Sequence, residues 1–183
     1  MSGDKTHGIG MSNINKSHLP LGALLSRYET EGCHTDCYVT DIPICVSHEQ
    51  FVLAFYTTIL FKLERLILKW AVSRPSSDEQ AAALASGRGE NFAAWSVEDR
   101  CSNQLLMCDF QGRTRSWLMT AILEDENDVS TRLFFGSAVV PARNKRTGVE
   151  GIGITFRLLL GFHKLYSIAL LYSAKARLTR LNR

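Results

Sequence analysis

Few residues in this chain have the types and spacing to do chemistry. In the run Gly112-Arg113-Thr114-Arg115-Ser116-Trp117, an extended backbone would turn Arg113, Arg115 and Trp117 to one face and Thr114, Ser116 and Leu118 to the other. Two guanidinium groups beside an indole could hold a carboxylate or phosphate and stack a ring. The competing reading is an outer face on which Arg113 and Arg115 pair across strands with Glu98, Asp99 or Asp109, each pair contributing about 0.2–1 kcal/mol. An alternating charge row on a sheet favours that reading.

His163 sits in a long apolar run and is the one general acid or base available there; its ordinary role would be to bond a backbone carbonyl or reach solvent beside Lys164. Tyr166 and Tyr172 could offer hydroxyls to a ligand, or act as core residues with a polar tip. Cys33-His34-Thr35-Asp36-Cys37 brings soft ligands together, and Cys101 or Cys108 could complete a tetrahedral zinc site. The spacing is not that of paired CxxC knuckles, so small thiols on a strand are the simpler reading, and neither a metal nor a cofactor is expected. No local signature activates a cysteine as nucleophile. Gly151-Ile152-Gly153 is a lone GxG without a preceding βαβ unit. P-loop, HExxH and GxSxG motifs are absent, so the sequence leans away from an enzyme.

The 183 residues are 45% hydrophobic and 21% charged, which suits one domain with a sizeable core. A charge of +3, from 21 basic and 18 acidic residues, is too small to argue for nucleic acid. Residues 1–18 are polar and read as a disordered leader to a single domain over 19–183. They lack the apolar core of a signal peptide, which points to a cytoplasmic protein with five free thiols. Arg157, His163 and Lys164 interrupt the apolar C-terminal run, and roughly 2.5–3.5 kcal/mol per mid-bilayer charge argues against a transmembrane span. The basic end, Lys175, Arg177, Arg180 and Arg183, complements a helix dipole or, alternatively, meets an anionic lipid or acidic partner in a peripheral contact.

Periodicity assigns the elements that must position these groups. Strand formers over 34–46 give a first strand. Ser47 with Gln50 three residues on is a capping box, and Val52, Phe55, Tyr56, Ile59, Leu63, Leu66 and Trp70 continue at helical spacing until before Pro75. Ser76 and Ser77 open an alanine-rich helix that stops at Gly87 and Gly89. Four alternating runs, 92–100, 104–110, 113–123 and 131–140, joined by short turns, predict an antiparallel meander. Residues 151–180 predict one long helix, apolar around most of its circumference and therefore largely enclosed, with Arg157, Lys164 and Lys175 along one narrow wet edge.

The expected class is α+β in the order β-α-α-β-β-β-β-α, a curved antiparallel sheet of about five strands gripping a C-terminal helix. In that order, and in the stretches FYTTILFKLERLILKW, RPSSDEQAAALA, CDFQGRTRSWL and RLFFGSAVVP, the chain resembles a family of uncharacterised bacterial proteins associated with the START and Bet v 1-like (SRPBCC, helix-grip) superfamily. The resemblance implies a cavity between sheet and C-terminal helix that takes a small lipophilic or amphipathic molecule. Arg113, Arg115, Trp117, His163 and Tyr166 are the candidate binding residues. A cyclase- or dehydratase-like enzyme in the same cavity, and a protein-interaction or membrane-surface module, are the alternatives.

Overall fold

Alternating side chains generate seven strands in the computed structural model, which describes residues 14–62, 76–125, 128–140 and 154–181, the last stretch with its side chains from Leu165 onward. The strands are β1 (Asn15–Lys16), β2 (His34–Ile42), β3 (Asn91–Phe92), β4 (Trp95–Cys101), β5 (Gln104–Asp109), β6 (Thr114–Glu124) and β7 (Val129–Val139). They form one antiparallel sheet in the order β1-β2-β7-β6-β5-β4-β3. Around it lie α1 (Ser26–Thr30), α2 (His48–Tyr56), α3 (Asp78–Ala85) and α4 (Ile154–Leu181).

The count of five strands is thus corrected to seven. Both additions are two residues long. β1 pairs with β2 through Asn15 and Lys16, at the end of the stretch read as leader; residues 1–13 lie outside the described residues. β3 is cut from β4 by a turn at Ala93, whose φ of 54° is positive. Such turns usually carry Gly or Asn, so two alanines hid the break.

The helix expected from 47 to before Pro75 is also corrected. Both capping boxes form, Ser47 with Gln50 and Ser77 with Gln80, but α2 stops at Tyr56. There Thr57 bonds back to the Leu53 carbonyl at 2.5 Å, and the Thr58 hydroxyl accepts from the Phe61 N–H at 3.1 Å. Side-chain bonds of this kind compete with the helical ladder, so Thr58 caps a fresh turn over 59–62. Residues 63–75 lie outside the described residues.

Each sheet face has its own covering layer. On one, Tyr38, Leu105, Met107, Leu118, Leu133 and Phe135 meet Phe51, Phe55 and Tyr56 of α2, Leu84 of α3, and Leu170, Leu171, Ala174 and Leu178 of α4. On the other, Cys37, Leu106, Trp117, Phe134 and Ala138 meet Ala23, Leu25 and Tyr28. This second layer, supplied by a segment of the chain that includes α1, was not foreseen. Among the described side chains of α4, from Leu165 onward, one stripe is buried, at Ser167, Leu170, Leu171, Ala174 and Leu178, the ordinary pattern of a helix on one wall. The expectation of a largely enclosed helix is therefore corrected for the described part: Leu165 is 71% and Tyr172 59% exposed. Nor does Lys175 lie on a wet edge, since its Nζ donates to Thr40 Oγ1 and the Asp41 carbonyl of β2. Among the described residues no helix is long and apolar enough to cross a membrane.

Candidate functional site

Strand β6 places Arg115 and Trp117 on the face that packs against the α1 segment, away from α4. Trp117 is 0% exposed, and its indole N–H donates to Gln104 Oε1 at 2.9 Å. Gln104 also accepts from the Leu24 N–H at 2.9 Å and donates to the Gly22 carbonyl at 3.1 Å, so one buried amide joins the segment at 22–24 to the indole. Arg115 Nε bonds Glu98 Oε2 at 2.7 Å and the Tyr28 hydroxyl at 2.8 Å. Its Nη1 donates to the Gly112 carbonyl at 2.6 Å, and its guanidinium stands 4.8 Å over the Tyr28 ring.

A register shift between Val97 and Asp99 explains why this cluster forms. The extra residue of a bulge breaks the alternation, so Glu98 and Asp99, neighbours in sequence, both serve the α1 layer. Glu98 meets Tyr28 and Arg115, while Asp99 meets Arg27. Burial first, and the bond to Glu98 second, push the Tyr28 hydroxyl up to about 12. Arg113 stands in the β5–β6 turn, where its backbone N–H donates to Asp109 Oδ1 at 2.7 Å. The structure thus brings Arg115 and Trp117 together as fasteners of the α1 layer. Arg115 also borders the space beside α4, with its guanidinium held by Glu98 and Tyr28 on the opposite face, and Trp117 does not.

That space contains a small hollow of about 40 Å³, walled by Phe55, Phe61, Trp95, Phe135, Tyr166 and Leu170. Ser116 and Ser137, register partners on β6 and β7, form its sheet side. Of the predicted residues Arg115 and Tyr166 line it, and the side chain of His163 lies outside the described residues. On the neighbouring strand Asp36 pairs with Ser137. Asp36 is 5% exposed; its Oδ1 accepts from the Ser137 N–H at 3.1 Å and hydroxyl at 2.5 Å. Its Oδ2 is buried without a hydrogen-bond partner among the described residues. An unmet buried carboxylate oxygen is costly, which singles Asp36 out. Sequence reasoning weighed it only as a metal ligand, although Asp36, Tyr38, Thr40 and Ile42 alternate onto the face that α4 covers.

The cysteines Cys33, Cys37, Cys45, Cys101 and Cys108 are free. Burial pushes the Cys37 thiol up to about 12, which keeps it unreactive at neutral pH. Among the described residues no group of three or more His, Cys, Asp or Glu could hold a metal.

His48, half-buried with both ring nitrogens closed to solvent, is another polar residue that sequence reasoning passed over. Burial, and then the charge of Arg100, lower its pKa from 6.5 to about 4. As pH falls below 6.5 the unfolded chain takes up this proton first, so stability present above 6.5 declines until folded His48 itself titrates. His48→Gln should flatten the fall of melting temperature between pH 6.5 and 4. Parallel curves for the two proteins would refute the assignment.

No family model, curated protein or solved structure matches this chain. Fold and site define it as an α+β protein, with an open antiparallel sheet covered by α2, α3 and α4 on one face and by the α1 segment on the other, and a small apolar hollow beside the C-terminal helix.

Proposed function

We propose that this protein is a non-catalytic binder of a small apolar or amphipathic molecule, held between the sheet and α4. The observation that carries the reading is the hollow at Tyr166 and Leu170, apolar in its walls, with the unmet Asp36 oxygen on the adjacent strand. Pockets for such molecules are mostly apolar with a few aimed polar groups. The connectivity adds support: among the described residues helices α2 and α3 follow the first long strand, that strand pairs with β7, and the long helix α4 comes after the sheet. This is the arrangement expected of a helix-grip protein.

The hollow is larger than one water but well below the roughly 150 Å³ that holds benzene, so a ligand must displace Phe61, Trp95 or Tyr166. The neutral fluorophore N-phenyl-1-naphthylamine tests this. Wild-type protein should take up one equivalent at micromolar concentration, and Ser116→Leu, which fills the sheet side of the hollow, should weaken uptake about tenfold. Absence of saturable uptake by the wild type would overturn the reading. The rival, a surface for another protein, has the exposure of Leu165 and Tyr172 on its side. These residues lie seven positions apart and so share one side of α4.

A further inference from the structure

Helix α4 is apolar on two sides. One is the buried stripe on the sheet. On the opposite side Leu165, Ala169, Tyr172 and Ala176 follow one another at intervals of four, three and four residues, which keeps them on one line along the helix. Leu165 is 71% and Tyr172 59% exposed, and the two alanines are half-buried. Single exposed apolar residues are ordinary, whereas a continuous row of them marks a contact surface. Four residues beyond Ala176 the row ends on Arg180, which is exposed and holds no ion pair among the described residues.

Charge decides what can lie on this row. Residues 154–183 carry Arg157, Lys164, Lys175, Arg177, Arg180 and Arg183 and not one acid. A second copy seated row to row would set cation against cation, with no carboxylate on either helix to offset them. An acidic protein would satisfy the charge, but a specific interface covers roughly 800 Å² on each partner, and two large side chains about 10 Å apart are a narrow base for one. A bilayer asks for less. An interfacial helix needs an apolar line that reaches the boundary between headgroups and acyl chains, and cations that meet anionic lipid. Tyrosine suits that boundary, with an apolar ring and a hydroxyl that stays wet.

We propose that the outward row of α4 docks on a membrane surface rich in anionic phospholipid, with Leu165 and Tyr172 entering the headgroup region and Arg180 meeting lipid phosphate. Lys175 takes no part, because its Nζ is held by Thr40 and the Asp41 carbonyl. A single short row gives reversible attachment, since stable anchoring takes two signals. The inference does not rest on the small-molecule reading.

Co-sedimentation of the full chain with vesicles of phosphatidylcholine alone, and of phosphatidylcholine with about one-third phosphatidylglycerol, tests the proposal. The protein should sediment with the anionic vesicles and stay in solution with the neutral ones, and added salt should release it. Leu165→Glu combined with Tyr172→Glu should lose sedimentation, and Arg180→Gln should need about fivefold more lipid. Leu21→Glu, at a fully exposed position outside α4, should bind as the wild type does. Equal binding to neutral vesicles, no binding up to about 5 mM anionic lipid, or wild-type binding by the double variant would overturn the proposal. So would a lipid-free dimer that the double variant abolishes, which would give the row to a second copy. Both side chains are exposed, so the variants should melt with the wild type; should one fail to fold, the lipid selectivity and salt response of the wild type decide.

Discussion

Trp117→Ala should remove about 3–5 kcal/mol of folding stability, read from denaturant midpoints at unchanged m. The indole is fully buried among Leu25, Tyr28, Leu106 and Phe134, and its ring centroid is 6.1 Å from that of Phe134. Truncation leaves a void between two rigid layers. The polar part of the loss is smaller, because Gln104 Oε1 still accepts from the Leu24 N–H. Trp117→Phe should accordingly cost much less than the alanine variant, since it keeps most of the volume and loses only the N–H. A cost for Trp117→Ala below about 1 kcal/mol would mean that the α1 layer is not seated on the indole.

Gly136→Ala should be the second severe change, for the opposite reason. Gly136 lies in register between Trp117 on β6 and Cys37 on β2. An added Cβ would come within 2.8 Å of Leu25 Cδ2, 2.9 Å of the Asp36 carbonyl oxygen and 2.9 Å of Trp117 Cε3. The side chains could shift, but the carbonyl is part of the β2–β7 ladder. Overpacking of this kind costs about 1–3 kcal/mol and occasionally more. Here the glycine is required for space, not for backbone freedom. The clash shared with Trp117 makes the pair testable: Gly136→Ala should cost less in a Trp117→Leu background, with a coupling of about 0.5–3 kcal/mol. Strictly additive costs would show that the indole does not lie over Gly136.

Local signals in the sequence were dependable. Ser47 and Gln50 announced the start of α2, the Ser77–Asp78 junction announced α3, and alternation placed the four strands of the meander. What alternation could not give is which layer a face meets. Arg115 and Trp117 were correctly put on one face, but period 2 is silent on whether α4 or α1 covers it. That choice depends on Gly22, Leu24 and Leu25, whose partners lie in β5 and β6. The break at Thr58 escaped because a threonine that caps from within an apolar period looks like any other helical position. The bulge at Glu98 escaped because one extra residue leaves no mark in a short charged run. Asp36, His48 and Gln104 were hidden for a shared reason. Each is a polar residue whose burial is created by elements distant in sequence, which composition cannot show.

The Gln104 clasp also orders events in time. The segment it holds at Leu24 precedes it by 80 residues, and a chain emerges from the ribosome N-terminus first. The earlier segment therefore waits, with Leu25 and Tyr28 uncovered, until the hairpin of β5 and β6 exists to receive it. Closing so long a loop carries a large entropic barrier, so docking of the N-terminal segment belongs late in folding, and premature termination before the hairpin leaves an apolar segment with no seat.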